Sequence, residues 1–193
     1  PNLADDVAVF MEKTGIPKAS VFGYSMGAAA ALQLAIRHPE KVDKLVVAST
    51  AYDAKGWQQA YRDFIPQMNV DMFAGMPFAE DYRKLAANPD GFRALASKLI
   101  DLEKEPMAWE ADVKALKTPV LIIVGDADVV TLEHAVAMFR LLGGGGMGDM
   151  GAPLQSRGNS TAQLICPRKF QPPARRRGFL LVDARLDGCI VTL

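Results

Sequence analysis

The chain has 193 residues, half of them apolar and 23% charged, which fits one ordinary globular domain with a sizeable core. Twenty-two basic side chains balance 22 acidic ones, and that neutrality excludes whole-chain electrostatic attraction to nucleic acid or to a membrane surface. The charge is unevenly spread: residues 1–151 carry 15 Lys and Arg against 20 Asp and Glu, whereas residues 152–193 carry 7 against 2.

Residues 2–14 read as an amphipathic helix. Asn2 can cap it, Asp5 and Asp6 sit near its positive end, and Leu3, Val7, Phe10 and Met11 share one face. Lys13 and Gly15 mark its stop. A short link leads to an apolar run at 19–24 that suits a buried strand. Gly23-Tyr24-Ser25-Met26-Gly27 then forces a tight reversal, and Ala28 to His38, rich in Ala and Leu, forms a helix that Pro39 ends. A serine at the apex of a strand–turn–helix sits on strained backbone, and Gly23 and Gly27 supply the clearance it needs. The helix N-terminus there offers free N–H groups and a positive dipole end to a developing anion.

Lys44 to Ser49 is a second buried-strand candidate, so the order helix, strand, helix, strand predicts a parallel α/β sheet. Residues 51–117 break that rhythm with successive helical stretches at 56–65, 79–87 and 91–104, rich in aromatics and methionines such as Trp57, Tyr61, Phe64, Met72 and Phe78. They read as a helical insertion with its own small core, whose adaptable apolar side chains can also line a substrate pocket. Pro119 to Val124 restores the strand character of a central parallel strand, Gly125-Asp126-Ala127-Asp128 follows, and Thr131 to Leu142 is helical. Chemistry in open α/β sheets sits at the carboxyl ends of strands, where Ser25 and both aspartates fall.

The chain changes character at Gly143–Gly146. From about Ala152 periodicity is lost, and arginine and proline replace the lysine preferred earlier. Only Phe179–Ala184 and Cys189–Leu193 have strand-like composition, and no fold is expected for residues 152–178. The expected organisation is therefore a sheet core at 1–50 and 118–150, a helical cap at 51–117 and a poorly ordered basic tail at 151–193. The Arg175–Arg177 cluster has neither a fold nor interleaved aromatics and reads as a solvated tail. The glycine run lacks the preceding strand and the Gly-Lys-Ser/Thr ending of a phosphate loop. No His, Cys or carboxylate spacing suits a metal, and no cofactor is implied. With no apolar run near the length of a membrane span, no signal segment and two cysteines, Cys166 and Cys189, that make no disulfide framework, the expected location is cytoplasmic.

With these residues in view the chain resembles the α/β-hydrolase superfamily. The matching motifs are Gly23-Tyr24-Ser25-Met26-Gly27 after a strand, Arg37-His38-Pro39-Glu40-Lys41-Val42 after its helix, and Pro119 through Asp128. The resemblance spans residues 2–150 and does not specify a substrate. It implies a partial α/β-hydrolase fold whose Ser25 attacks an ester or related acyl bond of a small molecule through an acyl-enzyme. Met26 takes the position whose backbone N–H is one oxyanion donor. The family's Gly-Asp-x-Asp pattern favours Asp128 as the acid, with Asp126 stabilising the turn. Asp53, after the second strand, is a third candidate.

The base is missing from this scheme. The family places a histidine after the acid, on a loop beyond a last strand, whereas the two histidines here, His38 and His134, lie at the end of the elbow helix and in the helix after Asp128. The resemblance thus describes a hydrolase with its first strands absent, its C-terminal part replaced as by a shifted reading frame or else natively divergent, and weak or no turnover. It also leaves the 19–24 strand at an exposed sheet edge. The alternative is a non-catalytic module that holds an apolar ligand on the same scaffold.

Overall fold

A computed structural model describes residues 3–145, 163–165 and 190–192. Five parallel strands form one sheet: β1 (Ala19–Tyr24), β2 (Val42–Ala48), β3 (Val120–Ile123), β4 (Gln163–Ile165) and β5 (Ile190–Thr192), in the order β4-β3-β2-β1-β5. The interior strand β1 shows why its sequence is mostly apolar. Ala19, Val21 and Gly23 are buried, and the alternate residues Ser20 and Phe22 are half-buried.

Helix α1 (Leu3–Lys13) packs on α2 (Met26–Arg37) through Ala4, Ala8 and Met11, while Leu3, Val9 and Phe10 are exposed. The expected Leu3–Val7–Phe10–Met11 face is therefore rotated. The small Ala4 and Ala8 side chains let the helices approach, and Asp5 on α1 is held by Arg37 Nη2 at 2.6 Å and by His38 Nε2 at 2.9 Å. These contacts decide the rotation, which hydrophobicity alone does not. Both α1 and α8 (Leu132–Leu141) close with a left-handed glycine, Gly15 at φ 71° and Gly143 at φ 89°. In each case the following amide reaches back to the third carbonyl from the helix end: Ile16 to Met11 at 2.8 Å, Gly144 to Phe139 at 2.9 Å. The start of the glycine run is a helix cap.

Two compact units emerge, one of residues 1–56 with 108–193 and one of residues 57–107. The first holds the sheet, with Leu32, Leu34, Leu45, Val47, Val120 and Met138 among its buried side chains, and includes α7 (Glu110–Ala115). The second is wholly helical: α3 (Gln59–Phe64), α4 (Val70–Ala74), α5 (Pro77–Leu85) and α6 (Phe92–Glu103). Ala79, Phe92 and Ala96 form its centre, packed by Val70, Phe73 and Tyr82. The short helices α4 and α7 were not expected from periodicity.

The edge expectation is corrected. Ser20, Val21 and Phe22 pair with Ile190, Val191 and Thr192, so the outward row of β1 backbone groups is satisfied by the end of the chain. Gln163–Ile165 likewise pairs with Leu121–Ile123, inside a stretch for which no structure was expected. Residues 146–162 and 166–189 lie outside the described residues, and with them Phe179–Ala184, both cysteines and Arg175–Arg177. Among the described residues no helix is long and apolar enough to cross a membrane.

Candidate active site

Ser25 stands between the last residue of β1 and the first of α2, at φ 53° and ψ −121°, and is exposed. L-residues rarely occupy such backbone. Its surroundings hold it there. The Ser25 amide donates to the Ala48 carbonyl at 2.9 Å, and the Ser25 carbonyl accepts the Ala28 and Ala29 amides at 2.9 and 3.1 Å. The chain must also fold α2 tightly back on β1. A Cβ on Gly23 would stand 2.7 Å from the Ala28 nitrogen and nearer still to the Gly27 carbonyl oxygen, so only glycine fits. Met26 is the first residue of α2, and its N–H is one of the amides that an α-helix leaves without an internal acceptor.

The same sheet end carries the aspartates. Tyr24 pairs with Ala48 and Ala48 with Ile123, and the Ser49 amide donates to the Ile123 carbonyl at 3.0 Å. Ser25, Ser49 and Val124 thus leave three adjacent strands at one level, roughly 5 Å apart from strand to strand. Four residues beyond Val124, the half-buried Asp128 accepts three hydrogen bonds. Oδ2 takes the Ser49 hydroxyl at 2.7 Å and the Gly125 amide at 3.0 Å, and Oδ1 takes the Val130 amide at 3.1 Å. Asp126 is exposed. The Asp53 carboxylate accepts the Lys55 amide at 2.8 Å and so caps the turn after β2.

Ser49 is the residue that sequence reasoning missed. It is a buried polar side chain, 6% exposed, with φ 56°, and its partner lies 79 positions along the chain.

Both histidines have structural partners. His38 Nε2 donates to Asp5, a bond that together with Arg37 holds the Asp5 carboxyl below its ordinary pKa. Thirteen residues along the helix place His38 roughly 20 Å from Ser25. His134 Nε2 accepts the Tyr52 amide at 3.2 Å, and its ring stacks on that of Tyr52 with centroids 4.1 Å apart. Gly56 lies so close that a Cβ there would meet His134 Nδ1 at 2.7 Å. Burial lowers the His134 pKa, opposed in part by the nearby Asp53 charge. A neutral ring with Nε2 engaged as acceptor has its proton on Nδ1. Among the described residues no group of His, Cys, Asp and Glu could hold a metal ion.

The family model described as the alpha/beta hydrolase fold matches residues 1–108, more than half of the chain. The chain belongs to this family. Relatives by sequence include the 3-oxoadipate enol-lactonase 2 of Acinetobacter baylyi, 27% identical in an alignment of length 149 that covers 67% of this chain and 54% of the lactonase. RutD of Caulobacter vibrioides, to which carbamate hydrolysis is ascribed, is 40% identical over 58 residues, 30% of this chain and 19% of RutD. The chain thus spans at most about half the length of these relatives. Among solved structures, NosK from Streptomyces actuosus superposes with a TM-score of 0.58 at 19% identity, covering 84% of this chain and 64% of NosK. MGS-M2, an alpha/beta hydrolase from a Medee basin deep-sea metagenome library, gives 0.54 at 19% identity, with 84% and 62% covered. These likenesses show the fold.

Proposed function

We propose that this hydrolase-family chain carries the nucleophile and acid of a serine mechanism directed at an ester or related acyl bond of a small molecule. Ser25 Oγ attacks the carbonyl carbon, and the Met26 N–H at the start of α2 stabilises the oxyanion. The tetrahedral adduct expels its alcohol to leave an acyl-Ser25, which water then hydrolyses. Asp128 orients and stabilises the base that takes the serine proton. The observation that carries the reading is that Ser25 and Asp128 both follow the carboxyl ends of strands of one sheet, β1 and β3, with β2 between them and its Ser49 bonded to Asp128. In the proposal an imidazole with a hydrogen bond on each nitrogen joins the two.

Neither histidine of the 193 residues is available for that place, since His38 serves Asp5 and His134 serves the Tyr52 amide. A positioned base contributes about 10² to 10⁴ in rate, and triad members act as a unit, so its loss can cost more. This chain is therefore expected to turn over p-nitrophenyl esters poorly or not at all. A robust rate that vanishes in Ser25→Ala would refute the assignment of the histidines.

The second reading, an apolar-ligand module, draws on the helical unit, where Phe64, Met72, Met76 and Phe78 are 40–51% exposed. In that reading the helical unit acts as a cap that receives the ligand. Binding of an apolar fluorophore that survives Ser25→Ala and falls in Phe78→Ala supports it, and binding unchanged in Phe78→Ala removes it.

A further inference from the structure

Asp128 is fastened asymmetrically, and the asymmetry has a chemical consequence. A carboxylate oxygen has two good acceptor positions. Oδ2 fills both, with the Ser49 hydroxyl at 2.7 Å and the Gly125 amide at 3.0 Å. Oδ1 takes one donor among the described residues, the Val130 amide at 3.1 Å, which leaves its second position for a base in the proposed site. The Gly125 and Val130 amides belong to the same turn as Asp128 and move with it. Ser49 is the donor from another strand end, and so the one that ties the carboxylate to the sheet.

Ser49 is itself held firmly. Its amide bonds to the Ile123 carbonyl at 3.0 Å, and its left-handed backbone at φ 56° breaks the strand's side-chain alternation directly after β2. A serine placed in that conformation, buried to 6% exposure, invites a reason beyond packing, because glycine or asparagine meets the backbone demand more readily.

We propose that Ser49 is a positioning residue for the hydrolytic site: its hydroxyl saturates Asp128 Oδ2 and turns Oδ1 toward the base that serves Ser25. The proposal rests on the reading of Asp128 as the acid.

Imidazole added to the intact chain supplies the missing base, and a fluorophosphonate probe reports the result by intact mass. Ser25 Oγ forms a bond to phosphorus, the phosphorus–fluorine bond breaks, fluoride leaves, and imidazole takes the serine proton. Labelling that depends saturably on imidazole is expected in the wild type and is lost in Ser25→Ala. Ser49→Gly removes the hydroxyl and suits the backbone. It should lower the imidazole-dependent rate at least about tenfold, the value of one hydrogen bond to a charged group, with the melting temperature unchanged. Ser49→Asn retains a donor in a side chain that accepts left-handed backbone and should recover most of that loss. A readout free of activity accompanies it: the Val130 amide resonance shifts in Ser49→Gly as the carboxylate turns, and returns in Ser49→Asn.

The failures are distinct. Asp128→Asn labelling at the wild-type rate, or a wild type without imidazole-dependent labelling, removes the reading of the site. Labelling slowed in Asp128→Asn but undiminished in Ser49→Gly overturns the role of Ser49 alone. So does a Ser49→Gly defect that tracks lost stability and is not rescued by Ser49→Asn.

Discussion

Gly23→Ala tests the tightest contact in the elbow. The new methyl would stand 2.7 Å from the Ala28 nitrogen and closer to the Gly27 carbonyl oxygen and the Ala28 Cα, all of them backbone. No flexible side chain can yield, so α2 must shift away from β1. At the same position β1 is paired with β2, Gly23 opposite Val47, and the Ser25 amide is tied to Ala48. The strand is therefore no freer to move than the helix. Overpacking of a dense core costs about 1–3 kcal/mol, and two rigid backbones place this case at about 2–3 kcal/mol. At about 2–4 °C per kcal/mol for a chain of this size, the melting temperature measured by circular dichroism should fall by about 4–12 °C. Two controls separate crowding from glycine's other properties. Gly75, with open space around it and φ −95°, should tolerate alanine within about 0.5 kcal/mol. Gly15, also in open space but at φ 71°, should lose about 1 kcal/mol from backbone strain alone. A Gly23→Ala protein that melts within about 1 °C of the wild type would mean that α2 does not press on β1 as described.

Two further outcomes follow from the same backbone. Ser25→Gly should be more stable than Ser25→Ala by about 1 kcal/mol, because only glycine is at ease at φ 53°, ψ −121°; equal melting temperatures would show that the elbow is unstrained. His134 has a folded pKa below its ordinary value because burial disfavours the charged ring. Its contribution to stability is therefore present above the unfolded pKa of about 6.5 and is lost as pH falls from there toward the folded value. His134→Gln, which keeps an acceptor for the Tyr52 amide, should flatten that part of the stability–pH curve. An unchanged slope would show that another group titrates there.

What was legible in the chain was what is encoded locally. The elbow was readable because its glycines flank the serine within five residues, and β1 because its short, mostly apolar run leads straight into that turn. The face of α1 was not, because Ala4 and Ala8 win burial by closeness to α2 and not by hydrophobicity. Strand β4 lies where no fold was expected and owes its strand character to pairing with Leu121–Ile123, whereas β5 falls within the strand-like Cys189–Leu193 and only its pairing with Ser20–Phe22, distant in sequence, was hidden. Ser49 was the hardest to see. Its distinguishing features are the sign of one backbone angle and a hydroxyl bond to a residue 79 positions away. No motif records either.

The two halves of the proposed machinery differ in what sustains them. Ser25 keeps its geometry through β1, β2 and the first turn of α2. Its constraints are steric and backbone-borne, so they persist whatever catalytic partners the site has. An elbow of this kind testifies to the family scaffold more than to turnover. Asp128 is different, because one of its three hydrogen bonds comes from a side chain, Ser49, and the proposal makes its orientation depend on that hydroxyl. In the proposed mechanism an acid that lost its base would no longer need a hydroxyl on Oδ2 and one acceptor position left on Oδ1. In the proposal that arrangement serves an imidazole, which makes it a more specific test of serine hydrolysis than the elbow. It makes the response to added imidazole, read through Ser49→Gly and Ser49→Asn, the measurement that separates a hydrolytic site without its base from a scaffold that only resembles one.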